Sequence, residues 1–218
     1  KYTGLTRREK LAMVRGKMEE LGADVFVIPA LDEVAWLLNL RGGDVLYTPV
    51  FLSYLLLGRD QATLCVQKEA VSAEIEAQLK ADGVSLAPYD DIYRLVAALP
   101  TGTRVLLDGE RANYRITQSV PDGAETLDRP SPIQLMKAMK TPAEQENERL
   151  AHIKDGVAVT RFLYWLKHAV GKEPITELSA AKKLESLRAE GEHYLEQSFD
   201  PILAYGAHGA IVHYEPTE

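Results

Sequence analysis

The sequence predicts an α/β domain in which helices cover a sheet, followed by a shorter α+β region dominated by helix. Three observations carry that prediction. Short runs rich in β-branched and aromatic residues alternate with segments of helical periodicity through the first 130 or so residues, as a layered α/β architecture requires. The cluster Asp128-Arg129-Pro130-Ser131-Pro132 then interrupts the alternation, because each proline lacks a backbone donor and disfavours helix in the residue before it. From Pro142 onward, Leu150, Ile153, Val157, Leu163, Leu166 and Val170 form a helical apolar stripe.

In chain order, Leu11, Val14, Met18 and Leu21 predict a helix over residues 6 to 21, with Gly22 placed for a left-handed C-terminal cap. Asp24 to Pro29 is too continuously apolar for an exposed helix and reads as a buried strand. Similar runs recur at Ala62 to Val66, Val84 to Ala87 and Arg104 to Asp108, with helical patterns at 70 to 81 and 91 to 99 between them. Residues 1 to 130 are therefore expected as one domain, 131 to 142 as a linker, and 143 to 218 as the beginning of another. In that last part the long helix ends near Gly171, and a second helix starts behind Thr176 as N-cap, with Leu178, Ala181, Leu184 and Leu187 on one face. Residues 198 to 214 read as two short strands. Two helices and a hairpin make an incomplete fold, whose apolar faces need partners.

Composition bounds the function. The 218 residues carry 25 basic and 32 acidic side chains, a formal charge of -7, which argues against a broad nucleic-acid footprint. The longest apolar runs, such as Val34 to Leu38 and Phe162 to Leu166, are five residues, against roughly 20 for a membrane-spanning helix. The single Cys65 cannot form an internal disulfide, so a reducing compartment, the cytoplasm, is expected. Neither an initiator methionine nor a signal-peptide core is present at the start, and the chain reads as cut from something longer.

The familiar phosphate-loop, zincin, nucleophile-elbow and Cys-x-x-Cys motifs are absent. Of the five histidines only His208 and His213 are close together, and on one extended strand their odd separation would point the two rings to opposite faces, which disfavours a two-histidine metal site. His213 lies in Gly209-Ala210-Ile211-Val212-His213-Tyr214, read as a strand whose apolar neighbours hold the ring; pattern alone favours a core or edge histidine. His152 reads as surface or interdomain packing. Asp32-Glu33 and Asp90-Asp91 read as helix N-terminal charges more than as cation ligands. Arg41 sits in the glycine-hinged loop Arg41-Gly42-Gly43-Asp44, a solvated turn or a place where substrate or another subunit is met.

Particular strings add a resemblance. Ala30-Leu31-Asp32-Glu33-Val34-Ala35-Trp36-Leu37-Leu38-Asn39-Leu40-Arg41-Gly42, with Asp44 and Pro49 to Tyr54 after it, resembles the middle domain of the three-domain aminopeptidase P enzymes, the Xaa-Pro aminopeptidases. Ser131-Pro132-Ile133, Lys137-Ala138-Met139-Lys140 and Glu144 to Val157 resemble the junction into that family's M24 catalytic domain, and Gly209 to Tyr214 its first substrate-contacting strand. The resemblance implies a creatinase-type N-terminal α/β domain with a mixed sheet, joined to the beginning of a "pita-bread" metallopeptidase domain. It implies removal of the N-terminal residue from peptides with proline second, by an enzyme holding two divalent ions, usually manganese. The family's ligands, two aspartates, a histidine and two glutamates, fall C-terminal to the His-Tyr strand, so no metal ligand and no bound metal are expected in this chain, which alone should be inactive.

Only His213 matches an active-site position, a histidine that touches substrate near the scissile bond and is not a ligand. A histidine in that position could give a hydrogen bond to the peptide or a proton to the departing nitrogen. Arg41 is carried over as a substrate or subunit contact, because in related folds its loop can reach an active site, sometimes across a dimer. His208 stands where relatives often carry asparagine, and no role transfers to it. The implied partners are peptides with proline second, the remaining domains of the same protein and a second copy in a homodimer, with neither nucleic acid nor membrane. The alternatives are a non-catalytic protein-binding module of the same fold and a prolidase- or creatinase-type hydrolase.

Overall fold

Residues 2–217 are described by the structure, a computed structural model. They divide into two units, residues 3–141 and residues 142–217 together with Tyr2.

The first unit begins with helix α1 (Arg7–Glu20), which a reciprocal cap starts: the Thr6 hydroxyl accepts from the Glu9 amide, and the Glu9 carboxylate accepts from the Thr6 amide at 2.7 Å. Gly22, at φ 68°, follows its C-terminal end, the left-handed conformation that costs glycine least. Then come β1 (Val25–Ile28), α2 (Leu31–Leu38), β2 (Ser53–Gly58), β3 (Ala62–Val66), α3 (Ala73–Ala81), β4 (Val84–Pro88), α4 (Asp91–Ala97), β5 (Arg104–Leu107), α5 (Tyr114–Ser119), β6 (Glu125–Asp128) and α6 (Pro132–Ala138).

The six strands form one sheet in the order β4-β3-β2-β1-β5-β6. It is mixed: β2 runs antiparallel to both β1 and β3, and the other neighbours are parallel. Registers Phe26↔Leu57 and Phe26↔Leu106 put these side chains on one face, with Ile28, Leu55 and Leu64, against α1, α2 and α3. One residue along, Val27, Tyr54, Cys65, Val105 and Leu107 face the other way, onto Ile92 and Val96 of α4 and Ile116 of α5. Both faces are covered, which is why the β1 sequence is continuously apolar rather than alternating. Each buried aliphatic or aromatic side chain contributes roughly 1.5–3 kcal/mol. Cys65 is fully buried, and burial, with the Asp91 charge behind it, pushes its thiol up to about 12.

The stretch 131–142, expected as a linker, carries α6. Ser131 is its N-cap and Pro132 its first residue, and Ile133 is fully buried in the core formed with α1 and α2. Proline at the first helical position has no hydrogen bond to lose, so the same residues that break one pattern start the next.

In the second unit, α7 (Pro142–Ala169) packs on α8 (Glu177–Ala189) through Ala158, Phe162, Ala180 and Leu187. The helices are pinned by Arg161–Glu190 at 2.5 Å and Arg188–Asp155 at 2.6 Å. The buried line of α7 is thus Ala158, Phe162 and Ala169, whereas Leu150, Ile153, Val157, Leu163 and Val170 of the sequence stripe are exposed. Thr176 caps α8 as expected, reciprocally with Ser179. The two strands expected over residues 198 to 214 are not formed. That segment is irregular apart from one 3-10 turn at Gly206–Ala210. A strand must hand every second backbone donor and acceptor to a neighbour, and among the described residues this unit contains no other strand.

Candidate functional site

Arg41 lies just beyond α2, whose end is built by long-range contacts. Asn39 closes the helix in the left-handed region at φ 53° and donates to the Leu5 carbonyl at 2.9 Å. Lys10, only 1% exposed, donates to the Trp36 carbonyl at 2.9 Å and to Asn39 Oδ1 at 2.7 Å. Arg41 Nη1 folds back to donate to the carbonyls of Leu40 at 2.8 Å and Ala35 at 3.2 Å. Its charge therefore meets the negative end of α2. The loop that follows is ordered by its own residues: the Asp44 carboxylate (Oδ2) accepts from the Leu52 amide at 2.8 Å, and Val45 bridges to Thr48. A Cβ on Gly42 would lie 2.6 Å from that of Phe51, so glycine permits the close approach. Leu46 at the tip is 70% exposed.

Asp32 and Glu33, in the first turn of α2, enter an ion-pair network. Glu33 is 1% exposed. Its Oε2 accepts from Ser131 Oγ at 2.7 Å, while Oε1 has no hydrogen bond among the described residues and faces Arg111 Nη1 at 3.6 Å. Asp108, at the end of β5, accepts from the Ser131 amide at 3.0 Å and from Gln134 Nε2 at 3.1 Å, and Lys137 pairs with Asp32. Burial raises the Glu33 carboxyl above its ordinary range, ahead of the opposing Ser131 hydrogen bond and Arg111 charge. At Asp32 burial also pushes upward, but the Lys137 hydrogen bond and the charges of Lys137 and Arg111 outweigh it and hold the group low. With two cations already among these carboxylates, the chemistry is structural pairing. Asp91, in the first turn of α4, pairs with Arg94 at 2.6 Å.

His213 is exposed, has φ 54° and lies outside any regular element, a correction to its placement on a strand held by apolar neighbours. The flanking Val212 is itself 83% exposed. The side chains that do converge are Glu177, His208 and Tyr214. Tyr214 donates to Glu177 Oε2 at 2.6 Å, and His208 Nδ1 lies 3.1 Å from each carboxylate oxygen and 2.9 Å from the tyrosine hydroxyl. The Tyr205 amide adds a donor to Oε1 at 2.6 Å. Chiefly through the Tyr214 hydrogen bond, and against a smaller effect of burial, the Glu177 carboxyl is held below its ordinary value. Sequence reading missed this group, because Glu177 is 31 and 37 residues from its partners and reads locally as a helix N-terminal charge. His152 Nδ1 contacts the Glu148 carbonyl at 2.9 Å, within its own helix. Among the described residues, no three His, Cys, Asp or Glu side chains are grouped to hold a metal ion, so the residues present do not fit a metal centre. Nor, among the described residues, is any helix long and apolar enough to cross a membrane.

A six-stranded mixed sheet with helices on both faces, followed by a helical unit, defines the class. Residues 1–144 match the creatinase/prolidase N-terminal domain family, and residues 146–218 match metallopeptidase family M24. The chain belongs to the Xaa-Pro aminopeptidase P family and combines that N-terminal domain with part of the M24 domain. It is 35% identical over 223 residues to Xaa-Pro aminopeptidase 1 of Dictyostelium discoideum, covering 100% of this chain and 35% of the relative. To a probable Xaa-Pro aminopeptidase P of Sordaria macrospora it is 35% identical over 227 residues, covering 99% of this chain and 37% of the relative. Among solved structures it superimposes, with a TM-score of 0.91 and 31% identity, on the X-prolyl aminopeptidase of Caenorhabditis elegans, described as a cytosolic enzyme with a di-nuclear active site. That match covers 100% of this chain and 36% of the other. The chain thus spans little more than a third of the relatives it matches.

Proposed function

We propose that the chain is part of a cytoplasmic dinuclear-metal aminopeptidase that removes the N-terminal residue from peptides with proline in second position. The observation that carries this reading is the likeness to X-prolyl aminopeptidases along the entire chain, through both units. The two ions, manganese by family resemblance, are assigned to residues of the whole protein outside this chain, and the chain by itself is inactive. The domain boundary falls between the two units, the remaining domains of the protein are its first partners, and the functional form is a homodimer.

Within this chain His213 is assigned to the substrate. Its imidazole can hydrogen-bond the peptide at the cleavage point or hand a proton to the departing proline nitrogen. Arg41 is assigned the lesser role of a substrate or subunit contact, since it stands beside an ordered loop with an exposed apolar tip.

The test compares the whole protein with this chain on an Xaa-Pro peptide in the presence of manganese; only the whole protein should cleave it. His213→Ala in the whole protein should lower kcat/KM by roughly 10²- to 10⁴-fold with bound metal unchanged. An unchanged kcat/KM per folded molecule would remove the histidine from the site, and loss of metal would make it a ligand.

A further inference from the structure

His213 has no hydrogen bond or ion pair of its own among the described residues, and it sits in a segment without regular structure beyond one short turn. Its placement therefore depends on what anchors its neighbours. Apolar packing is a weak anchor here: Phe199, Tyr205 and Val212 are largely exposed, and only Leu203 packs on the α7–α8 core. The polar anchors converge on one carboxylate. Glu177, the first residue of α8, takes the Tyr205 amide at 2.6 Å, His208 Nδ1 at 3.1 Å and the Tyr214 hydroxyl at 2.6 Å. These attachments bracket His213 on both sides in sequence. The rings of His208 and Tyr214 also lie against each other, with centroids 4.7 Å apart, so the carboxylate closes a small ring of contacts around residues 208 to 214.

We propose that Glu177 is a positioning residue: by gripping Tyr205, His208 and Tyr214 it sets the backbone that presents His213. This rests on the reading of His213 as a substrate contact. Geometry gives the glutamate its advantage, since one rigidly mounted carboxylate at a helix start accepts several donors from a chain that lacks ladder partners. The tyrosine hydrogen bond lowers its proton affinity and so favours the ionised form that accepts these donors. Small displacements of a positioned group are expensive in rate, about 10²-fold for an ångström.

Two measurements test the proposal. In the whole protein, Glu177→Ala should lower kcat/KM by roughly 10- to 100-fold with bound metal unchanged. Tyr214→Phe, which deletes one donor only, should fall between that variant and wild type. Adding His213→Ala to Glu177→Ala should cost far less than His213→Ala alone, because residues acting through one another are not additive. Full additivity, or a Glu177→Ala variant that is merely less heat-stable with kcat/KM per folded molecule unchanged, overturns the positioning role. In the present chain, amide hydrogen exchange at Tyr205 and across 208 to 214 should accelerate at least about tenfold in Glu177→Ala, the mark of local opening; unchanged exchange also overturns it. If His213→Ala alone leaves activity intact while exchange accelerates, the anchoring stands as a structural fact, and it is the substrate role of His213, with the positioning built on it, that falls.

Discussion

Glu33 and Glu177 make nearly the same contact to opposite effect. Each lies in the first turn of a helix, and each accepts a hydroxyl hydrogen bond from a residue far along the chain, Ser131 at 2.7 Å and Tyr214 at 2.6 Å. Yet Glu33 is pushed to hold its proton and Glu177 to lose it. Water and donor count decide the sign. Glu33 is sealed in the first unit with one hydrogen bond and a cation 3.6 Å away, too little to replace its hydration. Glu177 keeps contact with solvent and gathers three donors. A hydroxyl bonded to a carboxylate therefore says little about its charge until the surroundings are known.

The largest effect is expected at the buried carboxylate. Ser131→Ala removes the only hydrogen bond that Glu33 accepts among the described residues, and also the N-cap of α6. Stability should fall by about 2–3 kcal/mol, read as a lower urea midpoint with the slope unchanged.

Glu33→Gln should act in the other direction and less strongly. It puts a neutral group of the same shape where a charge is costly, a gain on the order of 1 kcal/mol at neutral pH. The pH dependence carries the sign. With its folded pKa raised, Glu33 contributes stability that is fully present below its unfolded value, about 4.3, and is lost as pH rises through the folded value. The substituted amide cannot titrate, so the variant should gain on wild type steadily as pH rises across that window. A difference that shrinks with rising pH would show that the buried group is ionised at little expense.

Glu177→Gln gives the smallest thermodynamic effect and the opposite slope. A carboxyl with a depressed folded pKa contributes stability above its unfolded value and loses it as pH falls through the folded one. The acid-side loss should therefore be weaker in the variant, and confined to the second unit. Trp36 lies in the first unit and Trp165 in the second, so the emission of single-tryptophan variants tells the two apart. Equal acid sensitivity in wild type and variant would mean that the three donors do not favour the ionised form.

Some of this molecule is local and was legible residue by residue. The periodicity of Leu11, Val14 and Met18, the unbroken run before Pro29 and the Thr176 cap each report an element whose cause lies within a few residues. Helix α2 was not legible in that way, since Val34 to Leu38 are all buried and a helix covered on every side has no polar face to mark its period. The prolines around Ser131 follow the end of β6 and concealed the helix they begin, which belongs to the first unit. The family resemblance pointed to His213, but no string pointed to Glu177.

What the sequence by itself determined is therefore the α/β class, the capped helices and the family. Whether residues 198 to 214 become strands, which apolar line of α7 is buried, and whether a glutamate beside a hydroxyl keeps or loses its proton were decided only by the tertiary structure. Propensity, capping and periodicity act over a turn or a strand, whereas ladder partners, water exclusion and converging donors come from residues tens of positions away, and exist only once the chain has folded.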